Sequence, residues 1–108
     1  MRLAIVQVDP TVGDIDGNLA LGRDAIKNAA RAGADVVLLP ELFLTGYPPE
    51  DLLAKRHFVD RNIDALDELA ASCAVTVLVG SVDRVNGGRL YNAAALVSNG
   101  RVAHVYHK

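Results

Sequence analysis

The sequence predicts an α/β fold, on three observations. "RLAIVQV", "DVVLLP" and "AVTVLVGS" are short apolar runs rich in branched residues, the composition of strands. The two stretches between them carry apolar residues at helical spacing. The segment from Arg89 to Lys108 reads as two further strands joined at Asn99-Gly100. The order is strand, helix, strand, helix, strand, hairpin, which predicts crossovers between the first three strands and antiparallel structure at one edge.

Taken in order, "RLAIVQV" leads into "DPTVGDIDGN", a loop dense in Asp, Gly and Pro. From Asn18 to Arg31, Leu19, Ile26, Ala29 and Ala30 recur near helical spacing, with Asn18 placed to cap the helix and Gly33 to stop it. "DVVLLP" is too continuous to alternate between core and water, so it reads as a central strand covered on both faces. "TGYPPEDLL" follows as a rigid loop, since Gly46 and the Pro48-Pro49 pair break periodicity and restrict the residues before them. Between Phe58 and Cys73, the positions Val59, Ile63, Leu66, Ala70 and Cys73 share one helical face, while Asp60, Arg61, Asp64, Asp67 and Glu68 cover much of the remainder. "AVTVLVGS" is a third covered strand and "VNGG" a turn. The last strand stops at Lys108 with no closing signal, so the expectation is an unpaired sheet edge, open to another chain or to further sequence, in a chain cut short of its domain.

Composition narrows the function. The chain has 108 residues, enough for one small domain, and 51% of them are hydrophobic. A net charge of -2, with no stripe of Lys and Arg interleaved with aromatics, argues against a nucleic-acid partner. No apolar run approaches the length of a membrane span, no basic segment followed by an apolar core opens the chain, and one cysteine cannot form an internal disulfide. The expectation is a cytoplasmic protein with neither a membrane nor a nucleic-acid partner.

Candidate chemistry centres on Glu41, which follows the second strand where open α/β sheets place ligands. By pattern alone, the favoured reading is that a glutamate leaving a strand simply turns into solvent, since charged residues are mostly exposed. Cys73, the one thiol, falls on an apolar helix face and reads as an inert core residue. His104 and His107 project to opposite sides of a strand, His57 stands alone, and no carboxylate or cysteine cluster completes a metal ligand set. "DGN" and "NGG" form turns and not phosphate cradles. Asp14, Asp16 and Asn18 alternate like a calcium loop, but Leu19 and Ala25 stand where that loop needs glycine and glutamate.

With these residues in view, the chain resembles the nitrilase or carbon-nitrogen hydrolase superfamily, and more closely the amidase domain of the glutamine-dependent NAD synthetases. The resemblance rests on "RLAIVQVDPTVGDIDGN", "GADVVLLPELFLTGYPPEDLL", "VLVGS", "LYNAAALV" and "VYHK", and so spans nearly the whole chain. It implies the N-terminal part of a nitrilase-like αββα sandwich, with residues 1–108 as a partial carbon-nitrogen hydrolase (glutaminase) domain. Of the family's Glu, Lys and Cys triad, two positions carry over: Glu41 as general base and Lys108 as stabiliser of the oxyanion. The nucleophile does not, because Cys73 precedes Lys108 and the family's cysteine follows it. The resemblance further implies that burial among Leu39, Phe43 and Leu44 raises the Glu41 pKa toward neutrality. It places Tyr47 at the glutamine pocket, or else packed on the domain or a second subunit, and gives Ser81 and Asn92 supporting roles in strand packing and hydrogen bonding.

For the complete protein the resemblance implies glutamine as substrate, a C-terminal synthetase domain that amidates deamido-NAD with ATP and magnesium, and a homo-oligomer. This segment itself carries no cofactor or metal site. A stand-alone amidase and a non-catalytic assembly module are the alternatives; "GYPPEDLL" speaks against the first and the missing nucleophile for the second.

Overall fold

In the computed structural model, which describes residues 1–86 and 88–108, two helices pack on one face of a five-stranded sheet. The elements are β1 (Leu3–Ile5), α1 (Ile15–Arg31), β2 (Val36–Leu38), a 3-10 helix (Glu50–Ala54), α2 (Arg56–Ala71), β3 (Thr76–Arg84), β4 (Leu90–Ser98) and β5 (Arg101–His107). Sheet order follows chain order, β1-β2-β3-β4-β5. The pairs β1-β2 and β2-β3 are parallel, and β3-β4 and β4-β5 antiparallel, as the element order predicts. The "VNGG" turn runs through residue 87, outside the described residues.

α1 begins earlier than predicted. Its N-cap is Asp14, whose carboxylate accepts a hydrogen bond from the Gly17 amide at 3.0 Å. Asn18 lies inside the helix, 2% exposed, because its side chain is engaged elsewhere. Its Oδ1 accepts from the Thr11 amide, and its Nδ2 donates to the carbonyls of Thr11 and Leu44, all at 2.8 Å. One side chain thus ties the loop after β1 to the loop after β2. Gly33, at φ 92°, ends the helix where the sequence places its stop. Asp14→Ala is expected to cost about 1 kcal/mol, the usual worth of an N-cap, in urea unfolding. Asn18→Ala should cost more, because it strands buried backbone groups of two loops.

α2 buries a broader face than predicted: Phe58, Val59, Asn62, Ala65, Leu66, Leu69 and Ala70. Cys73 is not on it. The helix closes at the C-cap Ser72, and Cys73 follows in the turn, its amide bonded to the Ala70 carbonyl at 3.1 Å. The thiol donates to the Leu69 carbonyl at 3.2 Å and sits in the core at 8% exposure.

The core lies between the helices and one sheet face. Val37, Val77, Val79, Ala95 and Val97 are fully buried there beneath Ile15, Leu19 and Ile26 of α1 and Leu66 and Leu69 of α2. Each such valine, leucine or isoleucine side chain contributes roughly 1.5–3 kcal/mol when taken from water. On the opposite face Leu38, Leu78 and Leu96 are half-buried, while Leu3, Ile5 and Tyr106 are exposed. The reading of β2 and β3 as covered on both faces therefore holds for one face only, the one under the helices. β2 does have a partner on each side, but β3 is the middle strand. Among the described residues, no helix is long and apolar enough to cross a membrane.

Candidate active site at the ends of β2 and β5

Past β2 the chain stays bonded to β3 while it bulges. Leu39 N donates to Leu78 O at 2.8 Å, Gly80 N to Pro40 O at 3.2 Å, and Phe43 N to Gly80 O at 3.0 Å. The bulge holds Glu41 and Leu42, and Leu42 adopts a left-handed φ of 47°, an uncommon conformation for a non-glycine residue. The backbone here lies directly on Gly80: a Cβ at that position would come within 2.5 Å of Glu41 Cα and Leu42 N. Leu39, Leu42, Phe43 and Leu44 are buried around this bulge and anchor it. Glu41 is turned the other way, its side chain 42% exposed.

Lys108 arrives from β5. Its amide donates to the Asn92 carbonyl at 2.9 Å, the ladder bond just beyond the strand, and its Nζ lies 2.5 Å from Glu41 Oε2. The Lys108 hydrogen bond is the main reason the Glu41 carboxyl is held below the usual glutamate range; desolvation opposes it, and the Asn92 amide and the Lys108 charge add smaller lowering effects. The expectation of a pKa raised by burial is thus corrected, because the apolar neighbours point into the core and the carboxylate meets an ammonium in the open. With a folded pKa below the unfolded one, the pair's small contribution to stability is present above the ordinary glutamate value and fades as pH falls through the lower folded value. Carboxyl NMR titration should find Glu41 below an ordinary glutamate, and Lys108→Met should bring it back up.

Asn92 completes the group. It lines a cleft of about 380 Å³ with Glu41, Lys108, Leu38, Leu78 and Gly80 on the open sheet face. Its Oδ1 is buried and has no hydrogen-bond partner among the described residues. Ser81, in contrast, is 2% exposed on the helix side, its Oγ 3.4 Å from the Asn62 amide, and supports packing as the resemblance implied.

Tyr47, 63% exposed, lines a second cleft of about 350 Å³ with Val8, Asp9, Pro10, Pro40 and Glu41. Its loop is pressed against the segment after β1 at Gly46, φ 77°, where a Cβ would meet Val12 Cα at 2.6 Å. Glu41, Lys108 and Tyr47 therefore gather around two adjoining clefts. Cys73 lies in neither, and burial pushes its thiol pKa up. Among the described residues, no three His, Cys, Asp or Glu side chains cluster as a metal site.

The carbon-nitrogen hydrolase family matches residues 2–108. The chain belongs to this family.

Among members, the glutamine-dependent NAD(+) synthetase of Thermotoga maritima is 40% identical over 100% of this chain and 19% of its own length. The structure of glutamine-dependent NAD+ synthetase from Acinetobacter baumannii superposes with a TM-score of 0.93 at 32% identity, covering 98% of this chain and 20% of that one. A nitrilase-superfamily amidase from Nesterenkonia, solved as a variant, gives 0.86 at 29% identity over 100% of this chain and 42% of the other. A further variant of that amidase shows Michael addition of acrylamide at its active-site cysteine. This carbon-nitrogen hydrolase chain thus spans about a fifth of the length of its synthetase relatives.

Gly80 escaped the sequence reading, Asn18 was read as a helix cap and not as a tie between two loops, and Asn92 was given only a supporting role in strand packing and hydrogen bonding. Two of them had a signal: a glycine inside a strand marks a close backbone approach, and an asparagine within "LYNAAALV" is a lone polar group in an apolar strand.

Proposed function

We propose that the chain is the N-terminal part of a glutamine-hydrolysing domain, and that in the complete protein the released ammonia serves ATP-dependent amidation of deamido-NAD. The observation that carries this reading is the meeting of Glu41 and Lys108, 67 residues apart in sequence, at the sheet's open face. The names of the synthetase relatives supply the substrate.

The cleft's own residues suit acyl transfer. A cysteine from the remainder of the protein, like the active-site cysteine of the Nesterenkonia amidase, gives its thiol proton to Glu41 and attacks the carboxamide carbon. Protonation of Glu41 leaves the Lys108 ammonium without its counter-charge at the moment the carbonyl oxygen becomes negative, so the cation turns to the oxyanion. Glu41 then returns the proton to the leaving nitrogen, the C–N bond breaks, and water hydrolyses the thioester to glutamate. Tyr47 walls the glutamine pocket beside Glu41. Closure of the open face by the rest of the domain would dry the site and strengthen both charges.

ATP and magnesium belong to the amidating part of the complete protein, which we place in the cytoplasm as a homo-oligomer. The test is glutamate release from L-glutamine: the complete protein should show it, and residues 1–108 alone should not, since their one thiol is buried in the core. No release by the complete protein, or steady release by residues 1–108, would refute the reading.

A further inference from the structure

Lys108 has a long, flexible side chain, and its backbone amide donates to the Asn92 carbonyl at 2.9 Å at the end of β5. Oxyanion stabilisation requires placement to a fraction of an ångström, so the contacts that hold the neighbouring residue bear on where the ammonium sits. The residue before Lys108 makes two side-chain contacts. His107 Nε2 lies 2.7 Å from Asp83 Oδ2, and the imidazole stacks on Tyr91 with ring centroids 4.2 Å apart and planes 3° from parallel.

The register explains the reach. His107 pairs with Ala93 across β4-β5, and Asp83 with Tyr91 across β3-β4, so the ring crosses β4 over Tyr91 to a carboxylate on the third strand in. Side chains alternate along a strand, so holding His107 to one face commits Lys108 to the other, where Glu41 stands. Three strands are bridged just where the cationic residue leaves the sheet.

The geometry points to Asp83, His107 and Tyr91 as a clamp that positions Lys108 for the reaction. None of the three lines the Glu41–Lys108 cleft, so His107 is a positioning residue and not a catalytic one. This inference rests on the proposed role of Lys108.

The experiment is glutaminase kinetics on the complete protein. His107→Ala should lower kcat by roughly 10- to 100-fold, the cost of a small misplacement, while KM for glutamine stays within about twofold. His107→Arg should recover most of the loss, because a guanidinium can bond Asp83 and stack on Tyr91. Asp83→Asn combined with His107→Ala should cost little more than either change alone, as for residues acting as one unit. Loss spread equally over kcat and KM, no rescue by Arg, or additive effects would overturn the clamp. Lys108→Ala, measured beside them, separates the two readings: if it is inactive while His107→Ala matches the parent, the clamp alone falls, and if it is fully active both fall.

Discussion

Glu41→Gln in the complete protein is expected to slow glutamine hydrolysis by about 10²–10⁴-fold, the range for removing a general base. The amide keeps the size and polarity of the carboxylate, so fold and substrate binding should persist. Synthesis driven by added ammonia should also persist, because it bypasses the step that needs Glu41. Lys108 adds a sharper expectation. In the folded chain it is neutralised by Glu41, and Glu41→Gln sets it free. The variant should therefore keep its oxyanion stabiliser while lacking a proton acceptor, and its residual activity should rise with pH as the attacking thiol ionises unaided. A Glu41→Gln enzyme with near-parental hydrolysis at neutral pH would exclude Glu41 as the base.

The second large effect concerns a residue with no side chain. Gly80→Ala would place a methyl group 2.5 Å from Glu41 Cα and Leu42 N, and 2.6 Å from Pro40 O, all backbone atoms that cannot rotate away. The bulge must lift from β3 or the strands must part. Overpacking of this kind typically costs about 1–3 kcal/mol, and Gly80→Val should exceed it. Leu42 already holds a left-handed conformation, which leaves the segment little freedom to adjust. The displaced Glu41 should lower kcat by up to about 100-fold even in molecules that fold. Urea unfolding and kinetics on the same sample would show both losses; a fully stable and active Gly80→Ala variant would mean that the bulge sits higher above β3.

Much of this was legible in the residues. Alternation of strand and helix signals gave the element order and the parallel-to-antiparallel change, because hydrophobic periodicity and Asn99-Gly100 act locally. The start of α1 was not legible in the same way: Asp14 and Asn18 are both good caps, and only the fold shows that Asn18 is taken by Thr11 and Leu44. The apolar runs reported that β2 and β3 avoid water on both faces, yet they could not say that one face would remain open in this chain. Glu41 and Lys108 were found through motif resemblance, while their direct contact, and with it the lowered Glu41 pKa, depends on register across three strands. Gly80, Asn92 and the Asp83–His107–Tyr91 group depend on such non-local register too.

The coincidence of sheet order with chain order over β1 to β5 bears on how this sheet comes into being. Each of β2 to β5 joins the edge left by the strand before it, and none of these four has to be inserted between two that are already paired. A chain growing from its N-terminus can therefore extend the sheet in the order of synthesis, closing one modest loop at a time. Lys108, the last residue of this series, is then delivered to a Glu41 whose bulge already rests on finished β3.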